Sequence, residues 1–339
     1  MLVLINRKRE VSTIILGVGI LVNYFKYIKG ILFGVLCIAG FYLFQNVGML
    51  FFLGVTGNFD RKFFESMHTK HITHFTANEN GLLILAGDLV VIIAILIIFA
   101  VKKNISIRGT LKLKGFAPKK LFVVVPLAIG TAICSSMIAQ IVCRIVGVNP
   151  AHTIKFFSDM NSIYAYIALI IVGPIAEEFL FRGILFNYLD RKTTRIYAVI
   201  LSSIFFGIAH GDLVQGVAVF FSGIAMALMY VYTDSILGDI TVHMINNFIA
   251  TFFGLFILYI SHSVGAPTGG FISIAVLVIS PALILIATRI YKRQIHRPTK
   301  QFRKTIVILC VLFAINIGLG IGYIFIPMPN HTVQHTQIK

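Results

Sequence analysis

Pro174-Ile175-Ala176-Glu177-Glu178-Phe179-Leu180-Phe181-Arg182-Gly183 sets two adjacent carboxylates and a guanidinium inside an otherwise apolar stretch. The run around it, 161–187, would extend about 40 Å as a helix, enough to cross a bilayer. An uncompensated charge at that depth costs roughly 3 kcal/mol or more, so buried acids there are rare and point to function. Two later apolar segments add polar groups at helical spacing: Phe206-x3-His210 and His243-x3-Asn247. Acid, imidazole and amide groups converging within a membrane point to hydrolytic chemistry rather than to a passive anchor.

The rest of the chain agrees with a membrane setting. Of 339 residues, 58% are hydrophobic, and the mean hydropathy is +0.93. That composition predicts an all-α, polytopic transmembrane helical bundle of about eight to nine spans. The apolar runs fall at 31–55, 82–101, 121–146, 161–187, 196–211, 214–233, 236–260, 271–290 and 305–327. The run 11–22 is too short to cross alone and reads as interfacial or as part of a first hairpin. No small-residue cleavage site follows an early apolar core, so no removed signal peptide is expected. Cys37, Cys134, Cys143 and Cys310 all lie in predicted spans without a CxxC pair, which argues against a disulfide framework.

The net charge is +17. In a soluble protein that would suggest nucleic acid, but here topology explains it and no nucleic-acid partner is expected. Lys102, Lys103, Arg108, Lys112, Lys114, Lys119 and Lys120 crowd the 102–120 loop, with no acid among them. Arg191, Lys192 and Arg195 hold the 187–195 loop, and a third cluster fills 289–304. About nine spans put all three loops on one side, cytoplasmic by the positive-inside rule, in a plasma membrane where anionic lipids would meet them. The chain divides accordingly into 1–119, an N-terminal membrane region; 120–290, the core carrying the polar motifs; and 291–339, a basic loop with a last span.

Side chains four apart share a helix face, whereas adjacent ones diverge by about 100°. Glu178 and Arg182 are therefore expected to pair, which offsets much of the cost of burying either. Glu177 points elsewhere, has no cation on its own helix and is left free for chemistry. Asp239, His243 and Asn247 fall in one stripe, so Asp239 could orient the His243 ring. Imidazole can polarise water, bind a metal or donate to an oxyanion, and an amide can donate to a developing oxyanion. Counted along their spans, Glu177, His210 and His243 lie about 15, 21 and 10 Å from the inner ends, a spread that helix tilt could absorb.

At these residues the chain resembles the CPBP intramembrane proteases, also called the Abi or type II CAAX prenyl protease family. The patterns are EExxxR (Glu177, Glu178, Arg182), FxxxH (Phe206, His210) and HxxxN (His243, Asn247), in order over roughly 120–290. The resemblance implies an intramembrane endopeptidase acting on membrane-associated peptides or proteins. It implies that Glu177 and His210 activate water and that His243 and Asn247 stabilise the oxyanion, with Glu178, Arg182 and Asp239 in support. The family is labelled metalloprotease, and Glu177, His210 and His243 are the candidate ligands for one zinc ion. Metal-free activation of water is the preferred expectation, because HxxxN offers one strong ligand and one amide. HExxH, GxSG and GxGD signatures are absent.

Blander alternatives stand beside these. The glutamates could be a structural pair at a helix interface, Asn247 interhelical glue and Asp239 a buried hydrogen-bonded acid. Asp88 and Arg144 could pair structurally, and His68, His71 and His74 read as a solvated loop rather than a metal site. The whole chain could serve without catalysis, as a bacteriocin-immunity or envelope-regulating protein of the same fold. A transporter would favour internal repeats, and none is visible. If the source is bacterial, leader peptides, peptide pheromones or bacteriocin precursors are the expected substrates.

Overall fold

The computed structural model describes residues 2–57, 76–102, 106–148, 161–264 and the helical positions 279, 282–287 and 289–290. Side chains are described from Phe25 onward, apart from Arg144 and 253–264. The expected span 305–327, His68, His71, His74, Cys310 and the Arg144 side chain expected to face Asp88 lie outside the described residues.

Every regular element among the described residues is helical. α1 runs Leu2–Thr56 and α2 Ala77–Val101. α3 is Leu121–Val146, α4 Ile163–Lys192, α5 Arg195–Ile208, α6 Leu213–Thr233 and α7 Ile236–Val264. Among the described residues, five helical stretches are long and apolar enough to cross a membrane: Phe25–Thr56 within α1, α2, Pro118–Cys143, α4 and α6. The protein is thus an all-helical, multi-pass membrane bundle. One expectation needs correcting: 11–22 is neither a separate interfacial segment nor half of a hairpin. It continues into 31–55 as one helix, because nothing in 2–56 removes a backbone donor as proline would.

α1 and α2 pack on each other and expose Leu36, Leu43, Phe51, Ile93 and Ile97 outward, an apolar surface suited to lipid. α4 and α6 form the centre. Phe181, Leu185, Phe186 and Leu189 of α4 pack with Ile224, Met226 and Tyr230 of α6 in one buried cluster. α4 is not a regular α-helix: π-helical turns at Ala168–Val172 and Phe179–Phe186 flank the α-helical stretch Gly173–Glu178. Pro174 cannot donate to the preceding turn and its ring crowds a carbonyl there, which accounts for the first widening. Such widened turns recur at functional sites because they re-aim neighbouring side chains. α5 has 14 residues, about 21 Å against a hydrocarbon core of about 30 Å. It falls short of crossing by itself, and the turn at its end carries His210.

The segment 106–117 closes one end of the bundle. Ser106 caps a short helical turn, Ile107–Thr110, and Leu111 beyond it is fully buried. Leu111 fits against Gly183, where an added Cβ would stand 2.3 Å from its Cδ2. Ile236 N donates to Lys112 O at 3.3 Å, and Asn187 Nδ2 donates to Thr110 O at 2.7 Å. Lys112 Nζ lies 2.8 Å from Asp234 Oδ1, Lys114 pairs with the other oxygen, and Ser235 Oγ donates to Lys114 O. Lys120 Nζ donates to Tyr232 O and Thr233 O at 2.8 and 3.1 Å, satisfying the last carbonyls of α6. Burial pulls the Asp234 carboxyl up, but hydrogen bonds from Lys112 and Lys114, with their charges, outweigh it and hold the group below its ordinary value.

Candidate active site

α4 brings the two glutamates to the bundle interior and separates them. Glu178 has no exposed side-chain surface, whereas Glu177 keeps 21%. Glu178 Oε1 accepts from Arg182 Nη1 at 3.1 Å, one helical turn on. Arg182, itself fully buried, donates through Nη2 to Gly223 O of α6 at 3.0 Å, lies 3.4 Å through Nε from Asp239 Oδ2 of α7, and stacks 4.7 Å above the Phe206 ring. One guanidinium therefore ties α4, α5, α6 and α7 together at one point. Removing it would leave two buried carboxylates facing each other, a loss that typically costs about 3–5 kcal/mol.

His243 of α7 bridges the pair of acids. Its Nδ1 is 2.7 Å from Glu178 Oε1, and its Nε2 is 3.7 Å from Glu177 Oε2. Arg182 carries only donors, so Oε1 of Glu178 is an acceptor and His243 Nδ1 must carry the hydrogen. That leaves a lone pair on Nε2, aimed toward Glu177. The expectation that Asp239 orients His243 is corrected here. Asp239 is buried against Arg182, and the carboxylate at Nδ1 is Glu178, because α4 packs closer to the His243 side of α7 than the stripe on α7 alone implies.

His210 sits in the turn after α5. Its Nδ1 is 2.8 Å from Phe206 O; a carbonyl only accepts, so Nδ1 again carries the hydrogen and Nε2 is free. Phe206 is the shared wall, with His210 at 4.9 Å and His243 at 5.4 Å between ring centroids, both edge-on. Tyr42 of α1 braces the same turn through its hydroxyl, which donates to Ala209 O at 2.9 Å. Gly211 follows with φ +68, the left-handed region that glycine enters at little cost. Asn247 Nδ2 spends one hydrogen on Leu169 O at 2.7 Å, in the first π turn of α4, and has a second to offer.

Motif spacing thus anticipates which groups of α4, α5 and α7 come together, and misses those from α1 and α2. Asp88 of α2 is only 3% exposed, accepts from Gln45 Nε2 of α1 at 3.1 Å, and its Oδ2 stands 3.2 Å from where a Cβ on Gly173 of α4 would be. No local pattern flags it beyond the bare fact of an acid in an apolar span.

Among the described residues, no three His, Cys, Asp or Glu side chains gather closely enough to hold a metal ion. Glu177 and His243 approach each other, but His210 does not complete a three-ligand set with them. The expected ligand set does not fit, and no step below is routed through a metal.

Residues 159–249 match the family described as "Type II CAAX prenyl endopeptidase Rce1-like". Among curated proteins, "Membrane-embedded CAAX protease MroQ" of Staphylococcus aureus is 30% identical over 169 residues, 45% of this chain and 67% of that protein. "Putative membrane peptidase YdiL" of Bacillus subtilis is 41% identical over 77 residues, 23% of this chain and 32% of that protein. The chain thus covers only about a third of the Bacillus relative's length. No solved structure matches.

Proposed function

The chain belongs to the CPBP, or Rce1-like, family of membrane proteins, and from that premise we propose that it is an intramembrane endopeptidase in which Glu177 activates water with help from His243 and His210. One observation carries this: Glu177 Oε2 and His243 Nε2 face each other at 3.7 Å. That gap is too long for a hydrogen bond and suits a single water oxygen donating one hydrogen to each acceptor. A lone pair of that oxygen is then free to attack a carbonyl.

The step balances as follows. Water oxygen bonds to the scissile carbonyl carbon, and Glu177 takes the departing proton. The oxyanion takes a hydrogen bond from the spare Asn247 hydrogen. Collapse breaks the C–N bond as the proton held on Glu177 passes to the leaving nitrogen, giving a carboxylic acid and an amine. Glu178 and Arg182 hold His243 in the required tautomer, and Asp239 holds Arg182. A packed, water-poor bundle strengthens each of these contacts.

The substrate class is a membrane-associated peptide or protein, consistent with relatives named as membrane proteases. Bacterial leader peptides, pheromones and bacteriocin precursors are of that kind. The basic loops are assigned to the cytoplasmic face, beside anionic lipid. The non-enzymatic alternative gains nothing from a tautomer-controlled histidine facing a carboxylate oxygen that accepts no hydrogen bond from the described residues. Peptidomics of membrane fractions from one bacterial host expressing wild-type or Glu177→Gln protein tests the proposal. New peptide termini confined to the wild type support it; identical termini in both at equal protein abundance overturn it.

A further inference from the structure

Tyr42 of α1 lies outside the region matched by the family, yet its hydroxyl reaches the turn that carries His210. On its way there α1 is seated closely along α4 and α5. A Cβ added at Gly34 would stand 2.1 Å from Cε2 of Phe205, and one added at Gly30 would stand 2.8 Å from Cδ2 of Leu189. Tyr197 of α5 donates through its hydroxyl to Tyr27 O at 3.1 Å, and the Phe41 ring lies 6.3 Å from that of Phe181 between centroids. These contacts fix where Tyr42 meets the end of α5.

The turn itself is tighter than an α-helix. His210 N donates three residues back, to Gly207 O, and Gly211 N does the same to Ile208 O, both at 3.1 Å. In a continued α-helix the His210 amide would take Phe206 O. Here that carbonyl accepts from the imidazole, whose Nδ1 is 2.8 Å away. The tight turn therefore decides which nitrogen of His210 carries the hydrogen and which keeps a lone pair. Ala209 is the C-cap of α5, and its carbonyl is among those that a helix end leaves without an intrahelical donor. Tyr42 Oη donates to it at 2.9 Å. Gly211 is fitted to the same hydroxyl, because a Cβ there would stand 3.2 Å from it.

We propose that Tyr42 is a positioning residue of the site: its hydroxyl holds the end of α5 in the tight turn, which reserves Phe206 O for the imidazole and leaves Nε2 of His210 as the acceptor. The functional meaning rests on His210 assisting Glu177. If the turn relaxed toward α-helix, the His210 amide would compete for Phe206 O, and the ring would lose the bond that fixes its tautomer. The N-terminal helix is thus part of the machinery rather than a scaffold beside it.

The tautomer is measurable without a substrate. Nitrogen NMR of full-length protein in nanodiscs, isotopically labelled at histidine, distinguishes a ring N–H from a bare ring nitrogen. The His210 signals are those lost in His210→Gln. At about pH 8, where imidazole is ordinarily neutral, wild type should hold the hydrogen on Nδ1 alone. Tyr42→Phe removes only the hydroxyl and should add a second form with the hydrogen on Nε2, about a tenth of the population or more. On a cleavage site found by membrane peptidomics, the same variant should lose roughly ten- to a hundredfold in kcat. Its KM should stay within about twofold of wild type, and its thermal midpoint within a few degrees. Gly211→Ala crowds the hydroxyl and strains the left-handed turn, and it is read in the same way if Tyr42→Phe does not fold. A single Nδ1–H form retained in the folded variant, a wild type without that form, or a variant kcat within about twofold of wild type overturns the inference. Failure of the catalytic reading looks different: the tautomer shifts in the variant, while cleavage is absent from the wild type or indifferent to Glu177→Gln.

Discussion

Glu178 Oε1 lies 2.7 Å from Nδ1 of His243 while accepting from Arg182 on the same oxygen. The second glutamate therefore orients the histidine, and the first is left facing its other nitrogen. Two neighbouring residues of identical type acquire different duties because the helix turns them about 100° apart.

Separate duties predict separate phenotypes. Glu177→Gln should abolish cleavage and move the thermal midpoint in detergent by only a few degrees, since Glu177 is partly exposed and accepts no direct hydrogen bond from Arg182. Glu178→Gln should lower stability by about 3 kcal/mol as well as activity, because it removes the charge that Arg182 and His243 share at full burial. Equal loss of midpoint in the two variants contradicts this division.

The fit of Leu111 against Gly183 predicts non-additivity. Gly183→Ala forces a methyl within 2.3 Å of Leu111 Cδ2 and should cost about 1–3 kcal/mol. Leu111→Ala alone should cost about 2–4 kcal/mol by leaving a cavity. Together they should cost at least 1 kcal/mol less than their sum, roughly the coupling of residues in contact. Strict additivity in thermal denaturation would mean that 106–117 does not seat on α4.

Acid should loosen the same closure. Asp234 is held below its ordinary value of 3.8 by Lys112 and Lys114, against the upward pull of burial. A depressed carboxyl contributes stability that is fully present above its unfolded value and is lost as pH falls through its folded one. The Asp234 side chain is 53% exposed, so the contribution is under about 1 kcal/mol and fades with salt. Comparison with Asp234→Asn, which tolerates the left-handed backbone there (φ 53), isolates it. The stability gap between the two proteins should be larger at pH 6 than at pH 3 (roughly, bracketing the ordinary carboxylate range). A gap independent of pH would rule the ion pairs out.

Chelation supplies a further test. With no three-ligand cluster among the described residues, cleavage should persist after dialysis against a strong chelator. Zinc at one ion per chain in active protein, lost in His210→Ala, would contradict this.

Much of the fold and part of the site were legible because helices enforce local periodicity. Spacing of four determines that Glu178 can reach Arg182, and apolar runs locate α2, α3, α4 and α6 to within a few residues. What spacing cannot supply is which face of one helix meets which face of another. For that reason Asp239 looked like the partner of His243, although interhelical packing gives that place to Glu178. The pairing of Gln45 with Asp88 was invisible for the same reason: they are 43 residues apart and meet only once α1 folds against α2. The widened turns of α4 depend on Pro174 and on tertiary packing together, and periodicity alone reads them as ordinary helix.

The most direct measurement is turnover by purified full-length protein in nanodiscs on a cleavage site found by membrane peptidomics. Wild type should hydrolyse it, and Glu177→Gln should lose about a thousandfold or more in kcat, the scale expected for removing a general base, with its thermal midpoint nearly unchanged. Glu177→Gln protein that stays folded and cleaves within tenfold of wild type would contradict the account.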